Sequence, residues 1–158
     1  DARLTAYRSC AHRLDGDHHL LRFLDENRNL LDDRPQTFQH GDFHDGNMML
    51  SGHDLCIIDF DRADIGDPWE EFNRIVWPAS ISPAFANGQL HGYFDGDPPD
   101  DFFRLLALYI ATNTISSVPW AVARGQNEIE TFEAQARDVL DWYDGMRTTL
   151  PGWYVPHL

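Results

Sequence analysis

Three side chains carrying hard oxygen atoms, Asp42, Asn47 and Asp59, stand at fixed places around a short apolar stretch, and this arrangement restricts the local fold more than any other feature. Met48-Met49-Leu50 and Leu55-Cys56-Ile57-Ile58 read as two strands, with Ser51-Gly52-His53-Asp54 as the turn between them. An antiparallel hairpin brings the chain back to the end it left, so Asn47 at the entrance and Asp59 at the exit are expected to lie close together. Asp42 follows the extended segment Thr37-Phe38-Gln39-His40 and is expected to point into the same solvent-open cleft. A hairpin this short has no core of its own and must rest on helices.

Helices account for most of the remaining chain. Residues 3–13 and 18–31 read as two of them, the second with Leu20, Leu21, Phe23, Leu24, Leu30 and Leu31 on one face, and Asp32-Asp33-Arg34-Pro35 ends it. Further helices are expected over about 68–78, 83–94, 99–118 and 127–147. Their starts carry capping chemistry: Asp67-Pro68-Trp69-Glu70, then Ser82-Pro83, then Asn127-Glu128-Ile129-Glu130. The segment from 99 is apolar almost all round (Phe102, Phe103, Leu105, Leu106, Leu108, Tyr109, Ile110), which suits a central buried helix. Ile129, Phe132, Ala136, Val139, Leu140 and Tyr143 form the single stripe of a surface helix. The tail from Pro151 to Pro156 is expected to be irregular and pinned by its aromatic residues. The fold class that follows is mainly α with a small β-hairpin (α+β), one domain over 1–158. It divides into helices through residue 35, the loop and hairpin over 36–67, and a helical subdomain over 68–158.

With 42% apolar and 13% aromatic residues, a chain of 158 residues can bury a sizeable core. It opens at Asp1 without an initiator methionine and reads as an internal cut; no basic, then apolar leader is visible. The longest apolar run, Leu105 to Ala111, falls short of the roughly 20 residues of a bilayer span, so a soluble cytoplasmic protein without membrane contact is expected. Cys10 and Cys56 make a poor disulfide framework, and Cys56 reads as a reduced core thiol. Acids outnumber bases 26 to 12, for a formal charge of −14, which argues against nucleic acid as a partner. The same acidity fits a cationic small molecule, or solubility alone.

Phosphoryl transfer to a hydroxyl needs an acceptor held in line, a carboxylate to receive its proton, and magnesium to neutralise the phosphates. Asp42 suits the second task. Asn47 and Asp59 offer two hard oxygens to one ion, as suits magnesium, which takes few protein ligands. In His40-Gly41-Asp42, Asn47, Ile58-Asp59 and the later Gly66-Asp67-Pro68, the chain resembles the aminoglycoside phosphotransferase and choline kinase-like superfamily, relatives of protein kinases. The resemblance implies the helical carboxy-terminal lobe of a protein-kinase-like phosphotransferase, with ATP or GTP as donor, Mg2+ as cofactor and a small-molecule hydroxyl as acceptor. It makes Asp42 the catalytic base, Asn47 and Asp59 the magnesium ligands, and His40 a buttress of the loop. Asp61, in place of the glycine of the protein-kinase metal triplet, is a candidate for an outer carboxylate. His44 is a loop residue near the acceptor, and Asp67 is a helix cap that stands close behind the site. Glu71 stands where the family often carries an acid, and a solvated helix face explains it equally well. Gly41 replaces the arginine that reads a phosphorylated activation loop in protein kinases, so no such switch is expected. Trp69, Trp77, Trp120 and Trp142 read as core or groove-wall residues.

Gly41-Asp42-Phe43-His44 also imitates the first motif of metallophosphoesterases. That scheme needs a second Gly-Asp pair and a Gly-Asn-His; here Gly96-Asp97 runs into two prolines and no Gly-Asn-His occurs. The chain has no lysine and no glycine-rich phosphate loop before His40. It is therefore expected to be one lobe of a longer phosphotransferase, weakly active by itself, whose partner is the missing amino-terminal nucleotide-binding lobe. The alternative is a non-catalytic binding module derived from a kinase.

Overall fold

In the computed structural model, which describes residues 2–156, the chain runs α1 (Ala2–Ser9), α2 (Asp17–Asn27), β1 (Thr37–Gln39), β2 (Met48–Ser51), β3 (Asp54–Ile57), β4 (Asp64–Gly66), α3 (Val76–Ile81), α4 (Pro83–Phe94), α5 (Asp100–Arg124) and α6 (Gln126–Trp142). Single 3-10 turns cover Arg28–Leu31, Asp45–Asn47 and Glu70–Ile75. The mainly helical α+β class matches the expectation, but there are two small antiparallel sheets where one hairpin was expected. β2 and β3 form the hairpin, with Met48 opposite Ile57 and Ser51 opposite Asp54, around a Gly52-His53 turn in which Gly52 has φ 66°. β1 pairs with β4, Thr37 opposite Gly66 and Gln39 opposite Asp64. The strand over 64–66 escapes a sequence reading because it is three residues long and contains a glycine.

α5 is the axis. α1, α2, α6 and the 3-10 turn over 70–75 all pack on it, and Phe102, Leu106, Ala107, Ala111 and Ile115 are wholly buried. Its 25 residues exceed the expected 99–118, because the helix continues through Pro119 to Arg124. By length and mean hydropathy it would suffice to cross a membrane, yet most of it is buried within this domain. Tyr7 is wholly buried, and its hydroxyl accepts the Leu14 amide at 3.0 Å while donating to Asp17 at 2.7 Å, which ends α1 earlier than the expected residue 13. α2 likewise stops at Asn27 and tightens into a 3-10 turn.

Three other expectations fail for physical reasons. The helix expected over 68–78 is a 3-10 turn followed by the short α3. Asn73 Nδ2 takes the Glu70 carbonyl at 2.6 Å, and that carbonyl is the one a regular helix gives to the amide four residues on. α6 starts at Gln126 without an Asn127 cap and ends at Trp142 rather than 147, where Asp144, Gly145 and Met146 turn to positive φ. Cys56 is exposed, because the hairpin lies at the surface with no layer above β3. α4, by contrast, occupies 83–94, capped by Ser82, whose Oγ accepts the Phe85 amide at 3.3 Å. Trp153 in the tail is buried against Trp142.

Asp67 ties these parts together. Its carboxylate, almost wholly buried, accepts from Arg34, from the Tyr109 hydroxyl on α5 at 2.7 Å and from the Trp69 backbone amide at 3.0 Å, while its carbonyl accepts from Nε2 of Gln39 at the end of β1. Arg34 also lies over the Trp69 ring at 4.6 Å. Burial by itself would raise the Asp67 pKa, but the bonds from Arg34, Trp69 and Tyr109 together bring it below the ordinary carboxylate value. A depressed folded-state pKa contributes stability that is present above the unfolded value and is lost as pH falls through the folded one. Asp67→Asn should cost about 3 kcal/mol near neutral pH, the order expected for opening a buried pair. In urea unfolding between about pH 7 and about pH 3, the gap between wild type and variant should close as pH drops; a gap independent of pH would contradict this account.

Candidate active site

The loop after β1 is built around His40, which is buried and bridges two segments. Its Nδ1 accepts the Asp42 amide at 3.2 Å, so Nε2 carries the proton and donates to the Ile58 carbonyl at 2.8 Å. The Phe60 ring packs against the imidazole, with centroids 4.4 Å apart. Asn47, also buried, donates Nδ2 to the Asp42 carbonyl at 2.9 Å, and the Ile58 amide donates to the Asn47 carbonyl at 3.0 Å. The backbone around Asp42, the hairpin entrance and the hairpin exit are thereby joined into one unit. Gly41 cannot be replaced within it: at φ 81°, an added Cβ would sit 2.0 Å from the Arg62 carbonyl oxygen.

Glu71 holds the loop from below. Its two carboxylate oxygens accept the His40 and Gly41 amides, each at 2.8 Å. Sequence alone left this acid between a role in the site and a solvated surface; the acid sits thirty residues further along the chain, and only the 3-10 turn over 70–75 aims it at the loop. His44 caps the turn over 45–47, its Nδ1 accepting the Gly46 amide at 3.1 Å.

Asp42 lies on the wall of a cavity of about 870 Å³ that runs from the loop to α5 and α6. Arg74 and Arg62 both form ion pairs with it, Arg74 Nε 3.1 Å from Oδ1 and Arg62 Nη1 3.7 Å from Oδ2. Oδ1 thus has the closer and more buried cation, and Oδ2 the longer and more exposed one. Arg74 itself is largely enclosed; burial lowers its pKa, Asp42 opposes that shift, and Arg62 and Arg3 add to it. Neither arginine was singled out from the sequence, because nothing in local spacing pairs residue 74 with residue 42.

Asn47 and Asp59 do not line this cavity. Asn47 sits behind Asp42, and Asp59 is exposed just past the last hairpin pair, in left-handed backbone at φ 64°. The structure therefore joins Asn47 to the Asp42 backbone but does not bring the three side chains into one cavity, and the Asp59 side chain makes no hydrogen bond among the described residues. With Asn47 Nδ2 committed to Asp42, its Oδ1 has no partner among the described residues, and neither has the Asp59 carboxylate. Two uncommitted hard oxygens fit magnesium, which completes its shell with water and phosphate. No group of three or more His, Cys, Asp or Glu side chains converges among the described residues, which does not suit the two-metal centre of a metallophosphoesterase. Asp61 is exposed beside Asp59, and Asp67 stays in its buried hub.

Glu71→Gln would set an amide NH2 against a backbone N–H and lose one of the two bonds. Amide exchange at His40 and Gly41 should then speed up by roughly tenfold, with exchange on α5 unchanged. Unaltered protection at both positions would remove Glu71 from this role.

The family model of the phosphotransferase enzyme family matches residues 1–105, a stretch that holds β1 to β4, the His40–Asp42 loop, the hairpin and Asp67. No curated protein and no solved structure matches the chain. The matched residues are 105 of 158 and include each of the loops just described: the chain belongs to the phosphotransferase enzyme family.

Proposed function

We propose that this chain is the acceptor-side lobe of an ATP-dependent kinase that phosphorylates a hydroxyl of a small molecule. The observation that carries the proposal is the setting of Asp42: it lines a cavity large enough for a metabolite, with the close ion pair to Arg74 on one oxygen and only the longer one to Arg62 on the other. Oδ2 accepts the proton of the attacking hydroxyl, and the ion pair with Arg74 keeps the carboxylate facing it. His40, as the Nε2–H tautomer, keeps the Asp42 and Ile58 segments in fixed relation, and Glu71 prevents the loop amides from drifting. Asn47 Oδ1 and the Asp59 carboxylate would hold magnesium, which supplies neutralisation of the phosphate charge when bound.

A nucleotide-binding lobe supplied by a longer chain that includes this one accounts for two features. No lysine is present to pair with phosphates, and Phe38, Met49, Leu50, Leu55, Phe60 and Ile65 stand exposed on and beside the two sheets. Covering those side chains would close the adenine side of the cleft.

In the longer chain, Asp42→Asn should lower turnover by roughly 10²- to 10⁴-fold at little change in thermal midpoint. Phosphate transfer to an alcohol panel, followed by ATP consumption, reads this out. An unchanged rate would take the base role from Asp42, and a longer chain that binds acceptors without consuming ATP would support the binding-module alternative.

A further inference from the structure

Arg74 stands beside Asp42 on the cavity wall with its hydrogen-bonding capacity unspent. A guanidinium carries several N–H donors and no acceptor. None of those on Arg74 makes a hydrogen bond among the described residues; Nε lies 3.1 Å from Asp42 Oδ1 as an ion pair, and Asp42 is its one partner of opposite charge there. The side chain is nevertheless enclosed, 18% exposed against 55% for Arg62. Its backbone is held in place as well, because Arg74 belongs to the same 3-10 turn as Glu71, whose carboxylate is tied to the loop amides. Burial disfavours the charged form and pushes the Arg74 pKa down, while Asp42 opposes that shift. The enclosed cation therefore leans on the negative charge of Asp42.

That dependence matters once Asp42 acts as a base. In transfer from a nucleoside triphosphate, a bond forms between the acceptor oxygen and the γ-phosphorus. The bond from that phosphorus to the β–γ bridging oxygen breaks, and its electron pair leaves with the nucleoside diphosphate. The acceptor proton goes to Asp42 Oδ2. Asp42 becomes neutral as the proton arrives, and Arg74 loses its counter-charge while the phosphoryl group in transit carries negative charge on its equatorial oxygens. Attraction between Arg74 and those oxygens is then stronger in the transition state than in the resting enzyme, which is the condition for accelerating a reaction. A guanidinium also suits phosphoryl oxygens, which it binds through paired N–H groups. Arg62 fits this task less well, since a side chain more than half exposed has its charge weakened by solvent. Resting on the kinase reading and extending it from Asp42 to its neighbour, we propose that Arg74 is a second catalytic residue, whose unspent N–H groups bind the oxygens of the phosphoryl group in transit.

Aluminium fluoride, which together with a nucleoside diphosphate imitates such a phosphoryl group, tests this without knowledge of the acceptor. Calorimetry on the longer chain gives the affinity for magnesium ADP with and without the fluoride. Wild type should bind ADP more tightly in its presence. Arg74→Ala should reduce that tightening by roughly ten- to a hundredfold, the worth of hydrogen bonds to a charged group, with binding of ADP alone unchanged. Arg74→Lys keeps the charge but not the paired donors, so it should fall between the two, and its gap from wild type gives the same reading where the alanine variant folds poorly. The loss should persist on an Asp42→Asn background, where a residue that only orients Asp42 has nothing left to orient. Absence of tightening in wild type, equal tightening in Arg74→Ala, an equal loss with and without fluoride, or a loss that vanishes beside Asp42→Asn would each overturn the inference. Tightening that survives removal of Arg74 would leave the kinase reading standing, whereas a longer chain that binds no ADP would overturn both.

Discussion

The buried carboxylate of Asp67 governs where everything near the site can be. It joins Arg34 before β1, the Trp69 amide at the start of the 3-10 turn and Tyr109 on the central helix, while the carbonyl of the same residue accepts from the Gln39 side chain at the end of β1. With those four points fixed, the turn that follows has one way to leave, and Glu71, four residues on, comes up under the amides of His40 and Gly41. Arg74, three residues further, reaches Asp42. A low-dielectric hub thus sets the position of an otherwise irregular loop, much as a packed core sets the position of a helix.

The loop is then self-consistent at short range. His40 uses both ring nitrogens on backbone groups of two different segments, Asn47 uses its amide nitrogen on the Asp42 segment again, and the hairpin ladder closes the remaining gap. The side-chain atoms left without a hydrogen bond among the described residues are the Asp42 carboxylate, Asn47 Oδ1 and the Asp59 carboxylate, which are oxygens in each case. Commitment of the nitrogen donors to structure, with the oxygens spared, is the pattern expected of a site that handles protons and hard cations.

Much of this was legible in the chain itself, wherever the determining contacts are local. Spacing gave the hairpin, α4 and the central position of α5, and the sequence around Asp42 and Asp59 carried the resemblance that the family match supports. Long-range chemistry was not legible. Nothing near residue 71 says that its carboxylate will meet residues 40 and 41, and nothing near 74 points to 42. Cys56 was misjudged because an apolar run reads as buried, while β3 lies in a two-stranded sheet with Leu55 open to solvent. Helix ends slipped where side chains took over backbone carbonyls, as Asn73 does at Glu70, or where successive residues adopted positive φ, as at Asp144 to Met146.

The central claim is that the oxygens spared by the loop, at Asn47 and Asp59, hold a divalent cation beside Asp42. Paramagnetic broadening by substoichiometric Mn2+ tests it directly. The account predicts that the resonances of Asn47, Ile58 and Asp59 broaden first, with Asp42 next, and that Asp59→Asn abolishes the pattern. Broadening centred instead on another acidic stretch, such as Asp100 and Asp101, with the hairpin ends untouched, would contradict it.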